Sequence, residues 1–179
     1  DIQEVVKAIG SDQRIGKKFL SPGPGFGGSC FQKDILNLVY ISRFYGLEIV
    51  ANYWEQILFI NDWQKKRIST LIIEKFFGTV SNKKIVILGF AFKSYTNDTR
   101  ESPAIQIVKD LIENGARLYI NDPKVSAHQI EKEIGLKEME IDKISSGSWQ
   151  FASDILFSAK DSDAIVVVTD WNIYKEINW

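Results

Sequence analysis

Cysteine and histidine are nearly absent from these 179 residues, Cys30 and His128 being the single copies of each. One cysteine cannot build an intrachain disulfide framework, and together with one histidine it leaves too few ligands for a structural zinc site. No metal is therefore expected. A lone unpaired thiol suits a reducing compartment, and the cytoplasm is the expected location. Neither sign of charge is in excess: 22 Lys and Arg stand against 23 Asp and Glu, for a formal net charge of -1. That balance supplies no basic field for nucleic acid and no cationic face for an anionic membrane, so neither is an expected partner. An anionic ligand has to be held by a few placed residues. Long apolar runs are missing too, since the longest, Ile85 to Phe92, is strand-sized and far short of the roughly 18 residues that span a bilayer. With 45% hydrophobic residues the chain still buries a core, which excludes disorder as its main description.

Asp1 to Val6 is already amphipathic, with no initiator Met and no signal-like apolar region; at the other end Ala164 to Thr169 reads as a strand and the aromatic stretch to Trp179 as a helix start. The chain is expected to be a segment of a longer polypeptide. Between Ile35 and Tyr45 the apolar residues Ile35, Leu38, Val39, Ile41 and Phe44 fall near helical spacing, and Gly46 stands where a helix stops. Helical spacing resumes from about Ile49 to Phe77, interrupted by the polar run Asn61 to Arg67, as one long helix or two abutting ones. Two large aromatic helices without intervening strands need a second apolar surface, for which another subunit is the favoured source.

From about residue 80 strand and helix alternate. Lys84 to Phe90 reads as a buried strand, and Ser102-Pro103 supplies an N-cap and first-turn proline for a helix over 103–114. Arg117 to Ile120 is a second strand, closed by Asn121-Asp122-Pro123; helices near Ala127 to Ile134 and Phe151 to Ala159 and the strand at Ala164 to Thr169 follow. This grammar predicts a Rossmann-like parallel α/β domain with its ligand crevice at the strands' carboxyl ends.

The densest chemical signal is Gly23-Pro24-Gly25-Phe26-Gly27-Gly28-Ser29-Cys30-Phe31-Gln32-Lys33-Asp34, a glycine-rich loop running into a helix. Glycines let backbone N–H groups approach a ligand, and Ser29 as helix cap would place Cys30 in the first turn, where the partial positive charge of a helix N-terminus favours thiolate. Asp34 lies one turn on, suited to a later proton step because its charge opposes thiolate formation. From residue type alone Cys30 is either that nucleophile or a small buried residue in a tight turn. A second constellation, Gly89-Phe90-Ala91-Phe92-Lys93 through Asn97-Asp98-Thr99-Arg100-Glu101-Ser102, joins the first strand to its helix but lacks G-x-G-x-x-G, so a dinucleotide pyrophosphate is not expected there. Lys93 and Arg100 are candidate phosphate or sugar contacts. Asp122 is read as a turn-former before Pro123, His128 as an exposed helix-start residue, and the tryptophans as core or interface.

Gly25-Phe-Gly-Gly-Ser-Cys30-Phe-Gln-Lys-Asp34, with Gly89-Phe-Ala-Phe-Lys93 and Asn97-Asp-Thr-Arg-Glu-Ser102, resembles the UDP-glucose/GDP-mannose dehydrogenase family. The likeness runs over nearly the whole chain, through Asp12-Gln-Arg-Ile-Gly16, Trp54 to Arg67, Asn121-Asp-Pro-Lys-Val125 and Asp170-Trp171, and Phe31-Gln32 resembles the UDP-glucose branch of eukaryotic type. The resemblance implies a helical dimerisation segment, residues 1–78, followed by a Rossmann-like UDP-binding domain, residues 79–179. It implies oxidation of the C6 alcohol of UDP-glucose to a carboxylate with two NAD, through a thiohemiacetal and thioester on Cys30, with Asp34 orienting water. Substrate contacts are implied for Arg14, reaching a neighbouring subunit, for Phe19, Leu20, Ser21, Pro22, Gly23, Pro24, Gly25, Phe26 and Gly27, and for Phe92 and Lys93. Cofactor contacts are implied for Cys30, Phe31, Gln32, Lys33 and Arg100. The partner implied is a second copy, as a homodimer or higher homo-oligomer. Ser21-Pro22-Gly23-Pro24 departs from a family loop that contains a lysine, and Ser94-Tyr95-Thr96 from a more charged run. The family's NAD glycine fingerprint and further catalytic residues belong upstream of Asp1, so the chain alone is expected to be inactive. The alternatives are a catalytically inactive nucleotide-sugar-binding or scaffold relative, and a dehydrogenase for another nucleotide sugar.

Overall fold

In a computed structural model the described residues are 1–16, 20, 22–140 and 143–179. A short amphipathic helix, α1 (Ile2–Ile9), is capped by the Asp1 carboxylate. The helical half is then a hairpin of α2 (Phe31–Phe44) and α3 (Glu48–Lys75), turned at Tyr45–Leu47. Ile35 and Val39 of α2 and Ala51 of α3 are buried where the two helices pack. The expected choice between one helix and two resolves to a single 28-residue helix, because nothing from Asn61 to Arg67 breaks helical geometry. Its last turns serve the other half of the molecule: Ile68, Ile72, Ile73 and Phe76 pack onto the core of the sheet.

That sheet has four parallel strands in the order β3-β2-β1-β4. They are β1 (Lys84–Leu88), β2 (Arg117–Asn121), β3 (Ser148–Phe151) and β4 (Ala164–Val167). The register aligns Ile87 with Ile120 on one side and with Val166 on the other. The connections are α4 (Pro103–Glu113), α5 (Ala127–Ile134) and α6 (Ile155–Ala159), and α7 (Asn172–Lys175) follows β4. Right-handed crossovers in this order put α4 and α5 on one face and α6 on the other. The strand order reverses between β1 and β4, and the crevice at their carboxyl ends faces the glycine loop. The core is Ile85–Leu88, Phe90, Ile107, Val108, Leu111, Leu118, Ile120, Ile130 and Trp149.

One expected element is corrected. The stretch read as a helix over Phe151 to Ala159 is a strand ending at Phe151 and a helix only over Ile155–Ala159, with Asp154 as its cap. Trp149 and Phe151 alternate with Gln150 on a four-residue edge strand, a signal too short to outweigh the i, i+4 spacing of Phe151 and Ile155. No helix among the described residues is long and apolar enough to cross a membrane.

Candidate active site

The glycine loop is gripped from two sides before it enters α2. From α3, the Asn61 side chain accepts from the Phe26 amide at 2.8 Å and donates to the Phe26 carbonyl at 3.1 Å. From the segment after β1, the Arg100 carbonyl accepts from the Gly28 amide at 2.8 Å, and the Phe92 ring lies against Gly28. A Cβ on Gly27 would stand 2.5 Å from the Glu101 carbonyl oxygen, and one on Gly28, at φ +83°, 3.0 Å from the Phe92 ring. The loop passes where no side chain fits.

Cys30 is itself the N-cap residue of α2, with its thiol exposed. The expected Ser29 cap does not form. Cys30 already has right-handed helical dihedrals, φ -91° and ψ -56°, whereas a capping side chain works from an extended residue; the Ser29 hydroxyl instead lies 3.8 Å from the Cys30 sulfur. An exposed thiol at a helix N-terminus is not the packed residue that was the alternative. Asp34 lies in the first turn of α2, exposed, and its amide donates to the Cys30 carbonyl at 2.9 Å.

Phe26 carries its ring to Phe31, the two centroids 4.6 Å apart at 78°, so the loop and the first residue of α2 are stacked edge to face. Gln32 is half-buried and Lys33 exposed in the same turn. Pro22, Gly23 and Pro24 form one wall of a groove of about 380 Å³ whose other wall is Ile68, Ile107, Val166–Val168 and Asp170. Leu20 is half-buried beside it in sequence; Phe19 and Ser21 lie outside the described residues. Lys93 is exposed, its ammonium 5.3 Å from the centroid of the Phe92 ring.

Arg100 pairs with Asp98 through Nε and a terminal nitrogen, at 2.9 and 2.7 Å, while its amide donates to the same carboxylate. This pairing raises the guanidinium pKa above its ordinary value and holds Asp98 below the usual carboxylate range. Through its carbonyl on the Gly28 amide, Arg100 is joined to the loop that carries Cys30. Arg14 makes the same two-pronged pair with Asp12, and these contacts do not bring it to the glycine loop of its own chain.

The turn after β1 is closed on itself. Phe90 and Ala91 amides both donate to one oxygen of Asp122, at 2.7 and 3.0 Å; their carbonyls accept from the Ser102 and Thr169 hydroxyls. Those amides are the groups a dinucleotide fold would offer to a pyrophosphate, and here they are taken. Sequence reading missed Asn61, Lys65, Glu101 and the reach of Asp122. The polar run Asn61 to Arg67 was visible, and Asn61 and Lys65, four apart, share the helix face that meets the loop. Among the described residues no group of acidic, histidine and cysteine side chains is placed to hold a metal.

Comparison with known proteins adds to this geometry. The profile of the UDP-glucose/GDP-mannose dehydrogenase family, UDP binding domain, matches residues 86–179, and that of the family's central domain matches residues 1–63. UDP-glucose 6-dehydrogenase of Gallus gallus is 46% identical over 179 residues, covering 100% of the chain and 36% of that protein. UDP-glucose 6-dehydrogenase 4 of Arabidopsis thaliana is 45% identical over 192 residues, covering 100% of the chain and 39% of that protein. Among solved structures, a UDP-glucose dehydrogenase from Pyrobaculum islandicum superposes with a TM-score of 0.78 at 28% identity, over 98% of this chain and 37% of that one. A GDP-mannose dehydrogenase from Pseudomonas aeruginosa, in a ternary complex, gives 0.69 at 26%, over 96% of this chain and 38% of that one. The chain therefore spans a little over a third of the length of these relatives.

Proposed function

Because the chain belongs to the UDP-glucose/GDP-mannose dehydrogenase family, we propose that it is the cysteine-bearing part of an NAD-dependent oxidoreductase that converts UDP-glucose to UDP-glucuronate. The observation that carries this reading is the exposed Cys30 thiol at the N-terminus of α2, on a loop held against Phe92 and Arg100. Identity of 46% and 45% to UDP-glucose enzymes, over 100% of the chain, supports that sugar nucleotide over its relatives.

In this reading Cys30 adds its sulfur to the C6 carbonyl, forming a thiohemiacetal. The thioester that remains after the second oxidation is opened by water, the Cys30 thiolate leaving and Asp34 taking the water's proton. Holding the aldehyde covalently keeps it from escaping. NAD, when bound, accepts the hydride of each oxidation. Of this chain's residues, Arg100 and Lys33 are exposed cations beside Cys30 that fit one edge of such a dinucleotide, and Phe31 and Gln32 border them. The closed turn at Phe90 and Ala91 does not fit its pyrophosphate. Lys93, with Phe92, supplies cationic and apolar contact to the sugar nucleotide, and the groove at Pro22–Pro24 with Gly25–Gly27 supplies its loop side. Arg14, whose described side-chain contacts are with Asp12, serves the site of a second copy. Residues 1–78 act as a dimerisation region and residues 79–179 as the UDP-binding domain, and the enzyme works in the cytoplasm as a homo-oligomer.

The full-length protein is expected to form two NADH per UDP-glucose consumed. Cys30→Ala should retain UDP-glucose binding by calorimetry while acid formation falls by orders of magnitude. Near wild-type acid formation by that variant would overturn the covalent route.

A further inference from the structure

We propose that Asn61, in the middle of α3, is the positioning residue that sets the Cys30 loop; the catalytic meaning of this rests on the reading of Cys30 given above. Asn61 is 35 residues from Phe26 in sequence and is buried. Its amide pairs with both backbone groups of one residue, accepting from Phe26 N–H and donating to Phe26 C=O, as a neighbouring strand would. Two bonds to one residue fix its rotation as well as its place. The approach is so close that a Cβ on Gly25, at φ +132°, would be 2.9 Å from the Asn61 oxygen.

One turn on, Lys65 reinforces the same grip. Its side chain is buried, its Cγ would lie 3.1 Å from a Cβ on Gly25, and its ammonium reaches Glu101 at 3.4 Å. Glu101 in turn presents its carbonyl to Gly27. The loop is thus held between α3 and the segment after β1, and the Phe26 ring passes the position to Phe31 by edge-to-face contact. Cys30 lies between these two stacked residues in sequence. Among the described residues, of the polar holds on the loop at the Gly28 amide and the Phe26 peptide, the one from Asn61 comes from a side chain.

The test uses two variants of the full-length protein. Asn61→Ala removes both bonds and leaves the Phe26 groups without partners. Asn61→Asp keeps the shape: a neutral carboxyl has one donor and one acceptor and reproduces the pairing, whereas a carboxylate faces the Phe26 carbonyl with a second acceptor. Asp62 and Lys65 on α3 and Glu101 from the facing segment are the charged groups nearby, and the wild-type protein measured across the same pH range is the control. Hydrogen exchange of residues 22–30, corrected for the intrinsic pH dependence, and kcat with UDP-glucose are both read.

For Asn61→Ala, exchange over 22–30 should rise roughly tenfold or more with β1 unchanged, and kcat should fall by a similar factor. Asn61→Asp should lose loop protection and relative kcat at pH 8, where its carboxylate faces the Phe26 carbonyl, and lose less of both at pH 5 to the extent that burial against that carbonyl favours the neutral acid. Equal loss of protection in β1 and the loop, or full loop protection and kcat of the Asp variant at pH 8, would overturn the proposal. If Asn61→Ala fails to fold, the Asp variant carries the test. Loop protection that follows this pattern while Cys30→Ala keeps full turnover would refute the catalytic reading of Cys30 and leave the loop assignment standing.

Discussion

Both carboxylate oxygens of Asp122 are occupied by donors. One takes the Phe90 and Ala91 amides and the Trp171 indole N–H, at 2.7, 3.0 and 3.2 Å; the other takes the Lys124 and Val125 amides, at 2.8 and 3.0 Å. The second set is the local turn that the sequence Asp122-Pro123 announces. The first set reaches partners more than 30 residues away, which no local spacing encodes. Asp122→Ala should therefore cost at least about 3 kcal/mol, or roughly 6–12 °C in Tm by thermal unfolding, because buried amides are left without an acceptor. Tyr174 belongs to the same corner, its hydroxyl donating to Asn121 and its pKa raised by burial and by Asp122. Charge pairs nearer the surface are expected to contribute to the acid limb. Asp163 is held below the usual carboxylate range, first by the Lys84 amide and then by Lys83, and Asp98 by Arg100. A depressed folded pKa gives stability that is complete above the ordinary value of about 3.9 and lost as pH falls through the depressed one. Asp163→Asn should flatten the fall of Tm between pH 5 and pH 2, and an unchanged slope would exclude this pairing as its source.

At the scale of elements, what was legible is what local chemistry writes. The helix Ala127–Ile134 was readable to its ends because Ser126 and Gln129 form a capping box and Gly135 closes it in a left-handed turn. Ser102-Pro103 likewise marks the start of α4. Cys30 at a helix start was readable, but Asn61 as its holder was not, since a polar residue in a long helix has no sequence mark of what it faces. The strand Ser148–Phe151 was missed for the opposite reason, being defined by pairing with Arg117–Ile120 rather than by its own pattern. Its energy lies in Trp149, which is fully buried with its indole N–H on the Leu136 carbonyl at 2.9 Å. Trp149→Ala should destabilise by about 3–5 kcal/mol in denaturant titration, with Leu136 losing its donor as well. A change below about 1 kcal/mol would show that the β3 edge is dispensable to the core.

Among the described residues the helical half leaves many of its aromatic side chains exposed. Tyr40, Phe44 and Tyr45 at the end of α2 and Tyr53, Phe59 and Trp63 along α3 are exposed. Exposed aromatics at this density are expected to be covered by a partner, and a second copy of the chain is the expected occupant. Light scattering should give a mass above the monomer at roughly 100 μM, and Tyr53→Glu should shift it toward the monomer. A monomer in both proteins would count against self-association. The isolated chain, which lacks a dinucleotide fingerprint, should form no NADH from NAD and UDP-glucose in a spectrophotometric assay.

Because α3 is one unbroken helix, about 42 Å long, it also acts as a phase gauge. Its first half packs on α2, which Cys30 caps; its middle grips Phe26; its last turns lie on the sheet. Cys30 and the residue that aims its loop are therefore indexed to each other by helical turns. Adding one alanine after Gln56 would rotate α2 by about 100° relative to Asn61 and pull the two ends of the loop out of phase. Adding four would overshoot one full turn by only about 40° and shift the helix along its axis by about 6 Å. Turnover in the full-length protein should vanish with the single insertion and return in part with the fourfold one, a non-monotonic dependence on length that only a rigid rotational coupling produces.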